Sequence, residues 1–461
     1  EKAGFKNAIR AEEWPDSIDS MSMEDARFSV IRYLASPIPN AYGPQIHDPR
    51  SGEILESHIC WYHNVMKLVH HWYMIQAGNL DEAARKMKFD EELMGQLIRF
   101  VSSHEVGHTL GLRHNFGSSS LVPVDSLRSR SFVECYGHTP SIMDYARFNY
   151  VAQPEDSISR NGIFPRIGDY DEWAIEWGYR PMFGAYDSES DHWELEKITS
   201  ERLKNNPRLW FGDGETNATH DPRCLTEDLG DDAVKASHYG ILNLQRMMKQ
   251  LPEWTYESND IYGRNLSDMY TEVVNQFYRY CMHVANQVGG TFADYKAPDQ
   301  EGVTYSYNSR AAQQRAVDFL QREVLTLPRW LIAPKWMMRF LPDPDQSVQS
   351  IGISVVKNLY APKLLNRLNP NWTAEDYLAH LTHLLFEGSM PSDASGRGYA
   401  QALQREAVTS LITLVSYGTL SEAYAAALAQ LQRIRRICQT HKGDAHSESL
   451  VFAIDKALSV K

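Results

Sequence analysis

Residues 104–114 read HEVGHTLGLRH. His104 and His108 stand four apart, so on a helix they share one face and can bind the same tetrahedral metal ion. Gly111 lets the backbone turn sharply, and His114 then returns to supply a third nitrogen. Three protein ligands leave a fourth position for water, which suits a catalytic zinc site and not a closed structural one. Glu105 is spaced to reach the metal-bound water instead of the metal. It would take a proton as that water attacks a carbonyl and pass it to the leaving amine.

Several elements must hold these groups in place. Asp90 precedes Glu91-Glu92 and opens a helix with acids in its first turn, where the macrodipole favours them. Leu97, Val101, His104 and His108 fall within about 60° of one another on that helix, so a face that begins as core ends in two imidazoles. Upstream, Arg27–Leu34 and Ile54–Tyr62 read as strands flanking a turn at Asp48–Gly52. Asn64–Ala77 takes helical period, and Asn79 or Asp81 can cap a short helix after it. Downstream, residues 115–165 are irregular, and Asp169–Tyr179 reads as a short helix. Residues 182–232 are polar and loop-rich. From about 232 onward nearly everything has helical period: 232–250, 265–288, 309–326, 346–367, 373–387, 397–417 and 420–440. Gly289–Ser309 reads as a β-hairpin within that stretch.

The pattern H-E-x-x-H-x-x-G-x-x-H, followed by Ser141-Ile142-Met143-Asp144-Tyr145, resembles the metzincin family of zinc metalloproteases, whose motif is completed by a downstream Met-turn. The resemblance implies that Met143 forms a hydrophobic floor beneath the metal. It implies for Tyr145 the place of the tyrosine in the astacin and serralysin branches, which stabilises the oxyanion. Asp144 departs from the astacins, which more often carry His there. Asp169–Tyr179 is similar to the C-terminal helix of many metzincin domains. By the same resemblance, Ile54–Tyr62 would be the edge strand above the cleft, where an extended peptide adds by β-augmentation. The phrases SIMDYARFNYVAQP, YDEWAIEWGYRP and DPRCLTEDLGDD resemble a Bacteroidetes-type family of large secreted zinc-dependent metalloproteases with accessory domains of unknown function. That resemblance implies an exported protein (periplasmic, outer-membrane-associated or extracellular) and a chain that begins at Glu1 after other segments.

Composition narrows the field. The 461 residues carry 46 Lys+Arg against 59 Asp+Glu, a formal charge of −13, which argues against nucleic acid as a partner. No apolar run approaches the ~20 residues that span a bilayer. The five cysteines form no C-x-x-C pair and read as free thiols, with one disulfide open to an exported protein. Acidic residues at 213–232 offer ligands for calcium but lack the D-x-[DN]-x-[DN]-G spacing, and Asp231 and Asp232 equally suit helix caps. His58 on the strand and His70-His71 on the helix are lesser cleft candidates. Asn115 suits either a hydrogen bond to a ligand or a turn. Asn217, Asn265 and Asn371 begin glycosylation-acceptor triplets that arise easily by chance.

The expected architecture is α+β, a metzincin-like catalytic domain with a twisted mixed sheet and an active-site helix, followed by a mainly α-helical C-terminal region. The expected boundaries are a catalytic domain at 1–181, a loop-rich connection at 182–231 and a helical region at 232–461. The expected site has His104, His108 and His114 on one zinc ion, Glu105 as general base, Tyr145 on the oxyanion, and Met143 and Gly111 as structural support. The expected partner is a peptide or protein bound extended in the cleft. The competing readings are a catalytically silent zinc-fold binding protein, against which the intact Glu105 counts, and a glycoprotein-directed protease that recognises substrate through its helical region.

Overall fold

The computed structural model describes residues 1–15, 21–184, 186–216, 220–296, 300–337, 344–368, 371–417 and 421–459. The acceptor triplet at Asn217 lies outside the described residues. Two compact units divide the chain. The first comprises Glu1–Asn217, Arg223–Asn243 and Trp254–Glu257; the second comprises Ala218–Pro222, Leu244–Glu253 and Ser258–Lys461.

The first unit is built on a four-stranded mixed sheet. Its strands are β1 (Val30–Leu34), β2 (Ala41–Tyr42), β3 (Gln45–His47) and β4 (Ile54–Tyr62). β1 runs parallel to β4, with Val30 opposite His58 and Leu34 opposite Tyr62. On the other side of β4 lie β2 and β3, both antiparallel, with Ala41 opposite Trp61 and Gln45 opposite Ser57. β4 is therefore the central strand, and its expected role as the edge strand is corrected. The edge on that side is Ala41–His47. Pro37, Pro39 and Pro44 mask a strand signal there, because proline breaks the pattern and is tolerated only where one flank needs no ladder bond.

β4 forms at the expected residues and alternates in burial, with Ser57, Ile59 and Trp61 inside. Helix α1 (Val65–Ala77) and helix α2 (Glu91–Thr109) follow. The Asp90 side chain accepts from the Leu93 N–H at 2.9 Å, the expected cap of α2. Leu93 and Leu97 are fully buried, each contributing about 1.5–3 kcal/mol. The far end of α2 is tied to the sheet by the Ser57 hydroxyl, which donates to the Thr109 carbonyl at 3.3 Å.

Helix α3 (Asp169–Tyr179) lies where the sequence places it. The stretch read as loop-rich contains an unexpected helix α4 (Ser188–Asn205). None of its residues is buried, so it has no apolar stripe to give a periodic signal. It starts at Asp187, which accepts from the Ser190 N–H at 2.9 Å.

The second unit is helical, apart from the antiparallel pair β5 (Thr291–Ala293) and β6 (Tyr305–Tyr307) at the expected hairpin. Its main helices are Arg264–Ala285, Arg310–Leu320, Pro344–Leu359, Ala374–Phe386, Ala394–Tyr417, Glu422–Thr440 and Ala445–Ser459. The last of these was not read from the sequence.

Candidate metal centre

The three histidines converge. Their Nε2 atoms form a near-equilateral triangle: His104–His108 3.1 Å, His108–His114 3.1 Å and His104–His114 3.2 Å. Each Nδ1 faces outward onto an acceptor. His104 Nδ1 donates to the Ile142 carbonyl at 2.9 Å, His108 Nδ1 to the Leu112 carbonyl at 2.9 Å, and His114 Nδ1 to the Glu215 carboxylate at 2.6 Å. A carbonyl oxygen can only accept, so the proton of His104 and of His108 sits on Nδ1. Burial pushes the His104 imidazole down to about 3 and lowers that of His108, which keeps both neutral. Their Nε2 lone pairs then point at one another, an arrangement that calls for a cation between them. Ligand nitrogens 2.0–2.1 Å from a tetrahedral zinc ion lie about 3.3 Å apart, close to the observed spacing. Among the described residues this is the group of His, Cys, Asp and Glu side chains placed to share a metal ion.

The local chain path explains the convergence. His104 and His108 are presented by successive turns of α2. Gly111 then adopts φ +84°, and the Leu112 N–H closes back on the Gly107 carbonyl at 3.0 Å. That reversal returns His114 to the helix face. Met143 is fully buried, and its side chain lies against Gly107, the residue before His108. The Met143 carbonyl accepts from the Asn115 N–H at 3.0 Å. Buried Asp171, at the start of α3, accepts from the Ser141 hydroxyl at 2.7 Å and the Ile142 N–H at 2.8 Å. The turn that carries Met143 is thus fixed from α3 and in turn fixes His104 through the Ile142 carbonyl. At the other end of α3 the Tyr179 hydroxyl donates to the Leu110 carbonyl at 2.9 Å.

Glu105 is 5% exposed and opens onto a cavity of about 50 Å³ that Tyr145, Trp72, Arg147 and Phe100 also line. Burial pushes its carboxyl up to about 7, partly offset by the Gly43 N–H of the edge segment. Glu105 Oε2 has no hydrogen-bond partner among the described residues. A side chain at residue 43 would run into the Glu105 carbonyl, so the edge segment approaches α2 this closely only with glycine. The Tyr145 ring stands edge-on to His104 at 5.2 Å and to His114 at 4.7 Å between centroids. Burial raises its phenol, which stays a donor at neutral pH. Beside it Arg147 lies 3.1 Å over the Trp72 ring and 2.6 Å from Glu227.

The structure therefore brings His104, Glu105, His108, His114, Tyr145 and Met143 together. Other candidates fall elsewhere. His70 is a core histidine, bonded to the Lys86 carbonyl at 3.0 Å and packed on Phe89. His71 packs beside it, and His58 pairs with Glu56 at 2.5 Å. Asn115 is fully buried and spans to Trp210 and Gly212, holding a loop. Members of the acidic stretch have protein partners: Asp213 takes Arg113, Asp231 caps at Val124 and Asp232 at Lys235. All five cysteines are free. Glu215, Gly43, Gly107, Trp72 and Arg147 were not singled out from the sequence for this site. Only Glu215 carried a signal, as one of the acids in the stretch weighed as calcium ligands.

A family model described as Met-zincin matches residues 86–390, about two thirds of the chain. The chain belongs to the Met-zincin family. No curated protein and no solved structure matches it. The Met-zincin match includes α2, the three histidines, the Met143 turn and α3, and continues into the second unit. Among the described residues no helix is long and apolar enough to cross a membrane.

Proposed function

We propose that this chain is an exported zinc-dependent endopeptidase that hydrolyses peptide bonds of an extended substrate. The observation that carries this reading is the triangle of inward Nε2 atoms beside the buried carboxylate of Glu105. His104, His108 and His114 would hold the zinc. When bound, that ion supplies Lewis acidity, which polarises the scissile carbonyl and acidifies water.

The protein's own groups do the rest. Glu105, whose carboxyl is poised near neutrality by burial, removes a proton from the attacking water and delivers it to the departing amine. Tyr145 donates its phenolic proton in a hydrogen bond to the developing oxyanion. Met143 supports α2 from below, and Gly111 provides the reversal that His114 needs. The substrate backbone pairs along the open edge Ala41–His47, whose Gly43 lies against Glu105.

Cleavage of denatured casein or a peptide library by the wild type and by Glu105→Ala tests the reading. Cleavage by the wild type, lost in the variant while about one zinc per chain is retained, is expected. Activity that survives Glu105→Ala overturns the mechanism. A zinc-loaded wild type silent on every peptide supports a binding protein instead.

A further inference from the structure

His104 and His108 are held by the regular geometry of α2, but His114 stands on an irregular turn beyond the helix end. Something outside the motif must fix its ring. One face is covered by Phe116, stacked at 4.9 Å and 11°. Its Nδ1 meets Glu215, whose carboxylate also lies 3.6 Å from Arg113.

The segment carrying Glu215 is bolted to the histidine turn. The Gly117 N–H donates to the Gly212 carbonyl at 3.1 Å. Asn115 takes the Gly212 N–H at 2.8 Å and donates to the Trp210 carbonyl at 3.0 Å. Arg113 pairs with Asp213 at 3.2 Å. A side chain on Gly212 would meet the Gly117 backbone, and one on Gly214 would meet Phe116. This closeness leaves Glu215 little choice of position.

We infer that Glu215 is a positioning residue of the metal centre: its carboxylate fixes the tautomer and ring orientation of His114 and strengthens its Nε2 as a ligand. His104 and His108 have neutral carbonyls in the equivalent place, so Glu215 alone adds negative charge behind the cation. Carboxylates placed in this way raise ligand basicity, and their loss weakens metal binding 10–100-fold. The inference rests on the zinc site proposed above.

The test measures zinc affinity by competition with a chromophoric chelator, together with the visible absorption bands of the cobalt-substituted protein. Glu215→Ala is expected to weaken zinc binding about 10–100-fold and to shift the cobalt bands. Glu215→Gln, similar in shape but uncharged, is expected to fall between Ala and wild type, and Glu215→Asp to recover part of the loss. Melting of the zinc-free protein should be unchanged in all three. If Glu215→Ala unfolds the protein, the Gln and Asp variants carry the comparison. Wild-type affinity and unshifted bands in Glu215→Gln and Glu215→Ala overturn the inference. Failure of the wild type itself to bind zinc, or retention of zinc by His108→Ala, overturns the metal site instead.

Discussion

The thioether of Met143 fills the space that a side chain at residue 107 would need. Gly107 lies in the turn of α2 between the two helical histidines, and a Cβ added there meets the Met143 side chain first. Gly107→Ala gains helix propensity of about 0.8–1.0 kcal/mol but overpacks the contact, at a cost of about 1–3 kcal/mol. The expected net result is lower stability in denaturant and weaker zinc binding. Gly107→Ala with Met143→Ala should recover zinc affinity relative to Gly107→Ala alone. If the double variant binds no better, the clash is not the cause.

Tyr145 packs edge-on against His104 and His114 through its ring, while its hydroxyl is the only group that phenylalanine lacks. Tyr145→Phe should therefore keep the ring contacts and the zinc. Loss of one oxyanion donor costs about 10²–10³ in kcat, and KM should move little. Steady-state kinetics on one cleaved peptide decides it, and an unchanged kcat removes Tyr145 from the mechanism.

Much of this centre was legible because its determinants are local. Asp90 and Gly111 bracket α2, and the turn at Asp48–Gly52 marks where β4 begins. What the sequence left unread depends on partners far along the chain. The pairing of β4 on both flanks is non-local, and the prolines near β2 and β3 hide the strands that make it central. α4 lacks an apolar stripe and is held by capping. Glu215 was visible as an acid but not as the partner of a histidine 101 positions away, since no periodicity links them.

Asp171 gives a pH-dependent test. Burial pushes its carboxyl up to about 6, against hydrogen bonds from Ser141, Gly168 and Ile142 that pull it down. The folded value therefore lies above the ordinary 3.8. Between those values the folded chain holds a proton that the unfolded chain has lost. The resulting penalty is fully present above pH 6 and is relieved as pH falls toward 3.8. Relative to Asp171→Asn, the unfolding free energy of the wild type should decline by up to about 1.4 kcal/mol per pH unit as pH rises through this window. Parallel profiles for the two proteins in urea titrations would contradict this.

Trp72 and Arg147 line the cavity beside Glu105. If the proposed endopeptidase activity holds, a cavity of about 50 Å³ would receive a small substrate side chain next to the scissile bond. Trp72→Ala should admit larger aromatic side chains there, with Trp72→Phe intermediate. Cleavage-site profiling of a peptide library reads this directly, and an unaltered profile in Trp72→Ala would place the selecting pocket elsewhere.

The 101 positions that separate His114 from Glu215 also have a meaning in time. A ribosome adds about 5–20 residues per second, so the last of the three imidazoles is made about 5–20 s before the carboxylate that braces it. A nascent chain thus carries its three-histidine motif well before the brace on His114 exists, and the third imidazole gains its fixed orientation only after the downstream loop has docked.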